Sequence, residues 1–206
     1  MRDDLAVSAL EPRFYFGAMS PYSWFAAERI ETVLPGAAWL PVLAGAVFKA
    51  NDRTSWGLTE RREAGIADCD ERAAAHGLGP IVWPHPWPAS DLLVARAMTH
   101  AMHLDLLRAF ALEAMRLCFR EGADLGDLAN VLEAGRRCGL DAGELESAIG
   151  GEHVKESLRA LTGQALEDGV FGVPSIVIGE ELYWGDDTLE RAASDFSRMR
   201  ALRTSE

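Results

Sequence analysis

The sequence predicts an α/β protein, on three observations. The chain opens with a short aromatic run that passes directly into a helical stripe, and it closes with two strand-like runs and a last helix. Between these ends lie Ala-, Arg- and Glu-rich segments whose apolar residues recur at helical spacing. A length of 206 residues suffices for one core, or for one core carrying an inserted subdomain.

Taken in order, residues 1–12 read as an irregular lead-in. Residues 14–18 are apolar and aromatic enough for a buried strand. Ser20 suits an N-cap and Pro21 the first helical position; Trp24, Phe25, Ile30, Val33 and Leu34 then form a stripe that stops at Pro35-Gly36. Residues 38–43 read as a second strand, completing β-α-β. A helix over 59–76 ends at Gly77. The loop after it carries Pro80, Pro84, Pro86 and Pro88, with Trp83 and Trp87 among them. Residues 90–121 are a long helical stretch, one helix or two, broken at Gly122. Three shorter helices follow over 127–138, 142–149 and 153–167. Strands over 175–178 and 182–184 flank a Gly179-Glu180-Glu181 turn, and a helix over 187–200 closes the chain. The expected arrangement is a discontinuous thioredoxin-like domain, residues 13–58 and 169–200. A helical subdomain over 59–168 is inserted in it, with flexible ends at 1–12 and 201–206.

Composition narrows the partners. With 20 basic against 32 acidic residues and no Lys/Arg-rich run, nucleic acid and anionic membranes are not expected ligands. The N-terminal stretch MRDDLAVSALEPR has no long apolar segment, and no later stretch reaches membrane-spanning length. Cys69, Cys118 and Cys138 form neither a CxxC nor a zinc pattern, which suits reduced thiols in the cytoplasm. His100 and His103 lie one helical turn apart without an acidic or thiol partner at a recognised spacing, so no metal site is expected.

Two stretches carry chemistry. In FYFGAMSPYSWFAA, residues 14–27, the segment Ser20-Pro21-Tyr22-Ser23 stands at a strand-to-helix junction. A Cys-Pro-X-Cys there would suggest disulfide exchange, but both sulfur positions hold hydroxyls. In GVFGVPSIVIGEELYWGDD, residues 169–187, Val173-Pro174 precedes a strand. A cis bond there would leave the Val173 backbone free to pair with an extended, peptide-like ligand; a trans proline at a strand start is the plainer alternative.

Together these stretches resemble the DsbA-like thioredoxin superfamily and, within it, the 2-hydroxychromene-2-carboxylate isomerases and kappa-class glutathione transferases. The resemblance rests on FYFGAMSPYSW, PVLAGAVFKAN and GVFGVPSIVIGEELYWGDDTLE, which follow in order over roughly residues 13–198. It implies glutathione, or another low-molecular-weight thiol, as cofactor. Ser20 is then the catalytic hydroxyl at the thiol sulfur, and Val173 beside cis-Pro174 holds the glutathione backbone. The Trp184-Gly185-Asp186-Asp187 segment matches a W/F-G-x-D pattern that holds the γ-glutamyl end, with Asp187 at the usual aspartate and Asp186 as its neighbour. Lys49 and Asn51, in Phe48-Lys49-Ala50-Asn51, fall on the substrate side. Trp83, His85 and Trp87 either wall an aromatic substrate or cover the core. Relatives of the kappa type imply a homodimer. One departure stands out: Gly17 occupies a position where the family commonly has an acidic residue.

The expected function is a glutathione-dependent isomerase acting on a small aromatic, pyruvate-like substrate, with a bound thiolate as transient nucleophile. A glutathione transferase is the alternative within that chemistry. A protein-disulfide oxidoreductase is disfavoured by Ser20 and Ser23, and a ligand-binding protein on the same scaffold is the non-enzymatic reading.

Overall fold

The strands β1 (Arg13–Phe16), β2 (Ala38–Pro41), β3 (Ser175–Ile178) and β4 (Glu181–Trp184) form one mixed sheet in the order β2-β1-β3-β4. β2 is parallel to β1, whereas β3 is antiparallel to both of its neighbours. A parallel pair needs a crossover, and α1 (Pro21–Ala27) with α2 (Ile30–Val33) supplies it. After β2 come α3 (Ala44–Ala50), α4 (Arg62–Ala75), α5 (Leu92–His103), α6 (Leu107–Glu121), α7 (Leu128–Arg137), α8 (Ala142–Gly150) and α9 (Glu152–Glu167). The helix α10 (Leu189–Arg203) follows β4. This is a thioredoxin-like α/β fold with a helical subdomain inserted between its halves. A computed structural model describes residues 10–203, so most of the expected lead-in and the last three residues of the expected flexible end lie outside the described residues. Within them no helix is long and apolar enough to cross a membrane.

Alternation along β1 sends Phe14 and Phe16 to one face and Tyr15 to the other, and all three are fully buried. Phe14 and Phe16 stack at 5.0 Å and meet Trp39 edge-on at 5.2 and 5.3 Å. That core continues through Trp24 of α1, which stacks on Phe119 of α6 at 5.6 Å. On the second face, Tyr15 and Val177 lie under Val47 of α3 and Ala165 of α9. Each such side chain contributes on the order of 2 kcal/mol of apolar burial, so the sheet is a rigid support for whatever its ends carry.

Two elements depart from the sequence reading. The first helical stripe is divided: the Arg29 N–H closes onto the Ala26 carbonyl at 3.1 Å, a tight i→i+3 turn that ends α1 before α2 resumes. The stretch 90–121, expected as one helix or two, is two, separated at 104–106, where Asp105 has a positive φ of 58°. Residues 44–50, between the expected second strand and the helix expected from 59, form α3. Gly45 and Val47 are poor helix formers, and the Ala44 N–H is capped by Asp91 Oδ2 at 2.8 Å, from 47 residues along the chain. Pro41 is accommodated because β2 is an edge strand.

Candidate functional site

Ser20 stands where β1 hands over to α1. Its backbone is extended, with φ −100° and ψ 118°, and its Oγ accepts from the Ser23 N–H at 3.2 Å. That is N-cap geometry. The Ser20 N–H donates to the Gly17 carbonyl at 3.1 Å, while buried Ser23 Oγ accepts from the Gly17 N–H at 3.4 Å. The turn is thus laced by its two serines. Because Ser23 occupies one lone pair of Ser20 Oγ, the Ser20 hydroxyl proton is directed elsewhere. Its protein acceptor is the Val173 carbonyl at 3.5 Å, the outer limit of a hydrogen bond.

The Val173–Pro174 bond is cis. Among the described residues the Val173 N–H has no protein partner. The Pro174 carbonyl accepts from the Gly185 N–H at 3.0 Å, tying this loop to the segment 184–187. Ser20, Val173, Pro174 and that segment are therefore brought together from three separated parts of the chain.

The two aspartates of the segment differ. Asp186 is 1% exposed; its carboxylate meets the Arg72 guanidinium at 2.9 Å and His76 Nε2 at 3.6 Å. Burial holds the Asp186 carboxyl above its usual range, against the pull of Arg72. Arg72 also donates to Asp68 at 3.0 Å and lies over the ring of Tyr22, whose hydroxyl donates to Asp68 at 3.0 Å. Asp186 is thus engaged inside the protein. Asp187 is exposed and has no ion-pair partner among the described residues.

On the α3 side, Lys49 is exposed in the last turn and is likewise unpaired. Asn51 donates its amide to the carbonyls of Val47 at 2.9 Å and Val170 at 3.4 Å, so it ties α3 to the loop before Val173. Sequence reasoning missed Arg53. Its guanidinium lies over Phe171 at 5.2 Å and Trp184 at 4.9 Å and has no carboxylate partner among the described residues. The rings that hold it come from the far end of the chain, so no local signal marks it. Trp184 itself is seated against Gly172, where a Cβ would stand 2.7 Å from its Nε1.

In the Pro-rich loop, Trp87 belongs to the core and Trp83 packs against it. Trp87 is buried, with its ring 4.6 Å from Trp83 and 4.9 Å from Trp56. Its Nε1 donates to the Met19 carbonyl at 3.1 Å, whereas Trp83 Nε1 is buried without a partner among the described residues. His85 is exposed, in a loop whose His85–Pro86 and Trp87–Pro88 bonds are both cis. As for Gly17, a Cβ there would press on Ala44 Cβ at 3.1 Å, so a larger side chain has no slack. His103 faces His153 with ring centroids 4.8 Å apart, and no group of three or more His, Cys, Asp or Glu among the described residues is placed to hold a metal.

A thioredoxin-like sheet with a serine N-cap facing a cis-proline loop defines the class: the chain belongs to the DSBA-like thioredoxin domain family, whose profile matches residues 13–197. It is related to 2-hydroxychromene-2-carboxylate isomerases. The enzyme of that name from Sphingobium xenophagum is 24% identical over 187 residues, 86% of this chain and 93% of the relative. The one from Pseudomonas putida is 24% identical over 200 residues, 90% of this chain and 94% of the relative. In three dimensions the chain is similar to a solved 2-hydroxychromene-2-carboxylate isomerase, with a TM-score of 0.80 at 20% identity over 95% of this chain and 98% of the other.

Proposed function

We propose that the protein is a glutathione-dependent isomerase of the 2-hydroxychromene-2-carboxylate isomerase type, acting on a small aromatic, pyruvate-like substrate. The observation that carries this reading is the Ser20 hydroxyl, fixed by Ser23 and left with only a 3.5 Å contact to Val173 for its proton. Glutathione, or another small thiol, supplies a nucleophile that adds to a conjugated substrate, permits bond rotation and leaves again. The chain's residues suit such a ligand. Ser20 donates to a thiolate and so favours the ionised thiol. The unpartnered Val173 N–H suits a peptide-like backbone, and exposed Asp187 suits an ammonium group. Lys49 and Arg53 offer cations to ligand or substrate carboxylates, with Asn51 holding the loop between them and Val173.

Serine at both former sulfur positions leaves the loop nothing with which to exchange disulfides, which argues against an oxidoreductase. We also take the protein to be a cytoplasmic homodimer. The test is turnover of a hydroxychromene carboxylate with and without thiol. Catalytic glutathione should suffice and thiol-free enzyme should be inactive. Full activity without thiol removes the mechanism; stoichiometric thiol consumption makes the protein a transferase of the kappa type; tight binding without turnover makes it a binding protein.

A further inference from the structure

The segment 87–91 reaches the site from behind at its two ends. Trp87 Nε1 donates to the Met19 carbonyl at 3.1 Å, and Asp91 Oδ2 accepts from the Ala44 N–H at 2.8 Å. These contacts converge: Ala44 Cβ stands 3.1 Å from where a Gly17 Cβ would be, and Gly17 accepts from the Ser20 N–H. We propose that this segment is a strap that sets the Ser20 hydroxyl, and that Trp87 is a positioning residue for it. The strap itself is a matter of geometry; its use in binding a thiol rests on the function proposed above.

One peptide plane links Trp87 to Ser20. The Met19–Ser20 peptide has its carbonyl held by Trp87 and its N–H held by the Gly17 carbonyl at 3.1 Å. Fixing both ends of a planar unit fixes its orientation. That orientation sets the extended φ of Ser20, which lets Oγ reach the Ser23 N–H. Lose the indole donor, and the buried Met19 carbonyl is unsatisfied while the peptide is free to turn. The indole in turn has a built seat. Gly57 has no room for a side chain, since a Cβ would lie 2.6 Å from Trp87 Cζ3. Arg62 stacks on the ring at 5.6 Å and donates to the Trp87 carbonyl.

The molecule contains its own control. Trp83 is Trp87's ring neighbour at 4.6 Å, in the same cluster, yet its Nε1 reaches no partner. Replacing either by Phe removes comparable apolar bulk, but only Trp87→Phe removes a donor to the loop. The probe is Ser20→Cys, a thiol placed where Ser20 Oγ accepts from Ser23. Its ionisation is read as the pH dependence of iodoacetamide alkylation, with the labelled site identified by mass spectrometry. In that background, Trp87→Phe should slow alkylation of residue 20 at pH 7 about tenfold through a raised thiol pKa, and Trp83→Phe should change it by less than about twofold. Equal shifts from both variants, or none from Trp87→Phe in protein that retains its circular dichroism spectrum, would overturn the proposal. Because this readout needs no glutathione, the strap can stand even if the wild-type protein binds no thiol, and the two readings fail separately.

Discussion

The two flanks of Ser20 handle charge in opposite ways. On the flank of α4, Asp186 is buried against Arg72 and His76, and Asp68 links Arg72 to Tyr22. On the flank of α3, Arg53 and Lys49 face solvent without a carboxylate partner among the described residues, Arg53 being steadied by two aromatic rings. Paired and buried charge holds α1 against the inserted subdomain. Unpaired charge on a stiff mount is what a ligand can use, because nothing must be broken before it binds. A net charge of −12 makes the unpaired cations the more telling.

The contrast can be broken most forcefully at Arg72. Arg72→Ala strands the buried Asp186 carboxyl and should cost about 3 kcal/mol of stability in urea unfolding, with Asp186→Asn in the same chain restoring much of the loss. An unchanged midpoint would mean that this flank is not scaffolding. Next in size is Ser20→Ala, between the flanks, which should lower thiol-dependent turnover about 100-fold, while loss of the N-cap costs only about 1 kcal/mol of stability. Comparable thiol-dependent rates in both proteins would take the hydroxyl out of the chemistry. On the α3 flank, Arg53→Ala should weaken glutathione binding in calorimetric titration about fivefold, with stability within about 0.5 kcal/mol of wild type. A stability loss without a binding loss would make Arg53 another structural charge.

The smallest effect concerns Asp91, behind α3. Burial raises its carboxyl above the usual range, although the amides of Ala44 and Gly45 pull the other way. A carboxyl raised on folding contributes stability that is full below its unfolded pKa, near about 3.9, and fades as pH climbs through the folded value. Asp91→Asn, which cannot ionise, should therefore gain on the wild type between pH 3 and 7, by less than about 1 kcal/mol. Unfolding midpoints across that range would show it, and a variant that loses ground as pH rises would reverse the assignment.

What could be read from the sequence was what the chain encodes locally. Ser20 with Pro21 is a helix start written in two adjacent residues, and the apolar runs beginning at 14 and 175 open strands, the first ending at Phe16. The whole-chain order of motifs carried the fold. What could not be read depends on partners far along the chain. The helix α3 is capped by Asp91, Arg53 is mounted on Phe171 and Trp184, and Trp87 meets Met19 across 68 positions. Asp186 and Asp187 are adjacent and chemically alike, and only tertiary burial separates them. A Trp among prolines gives no local sign that its indole N–H meets an acceptor 68 positions away.

The chain's own sulfur is chemically muted. Cys69 is buried and its thiol pushed up to about 12, buried Cys118 is raised further, and burial lifts half-buried Cys138 to about 11. If the working sulfur arrives with a small thiol, oxidative wear falls on a component the cell continually replaces. The polypeptide then ages by unfolding rather than by oxidation of its cysteines.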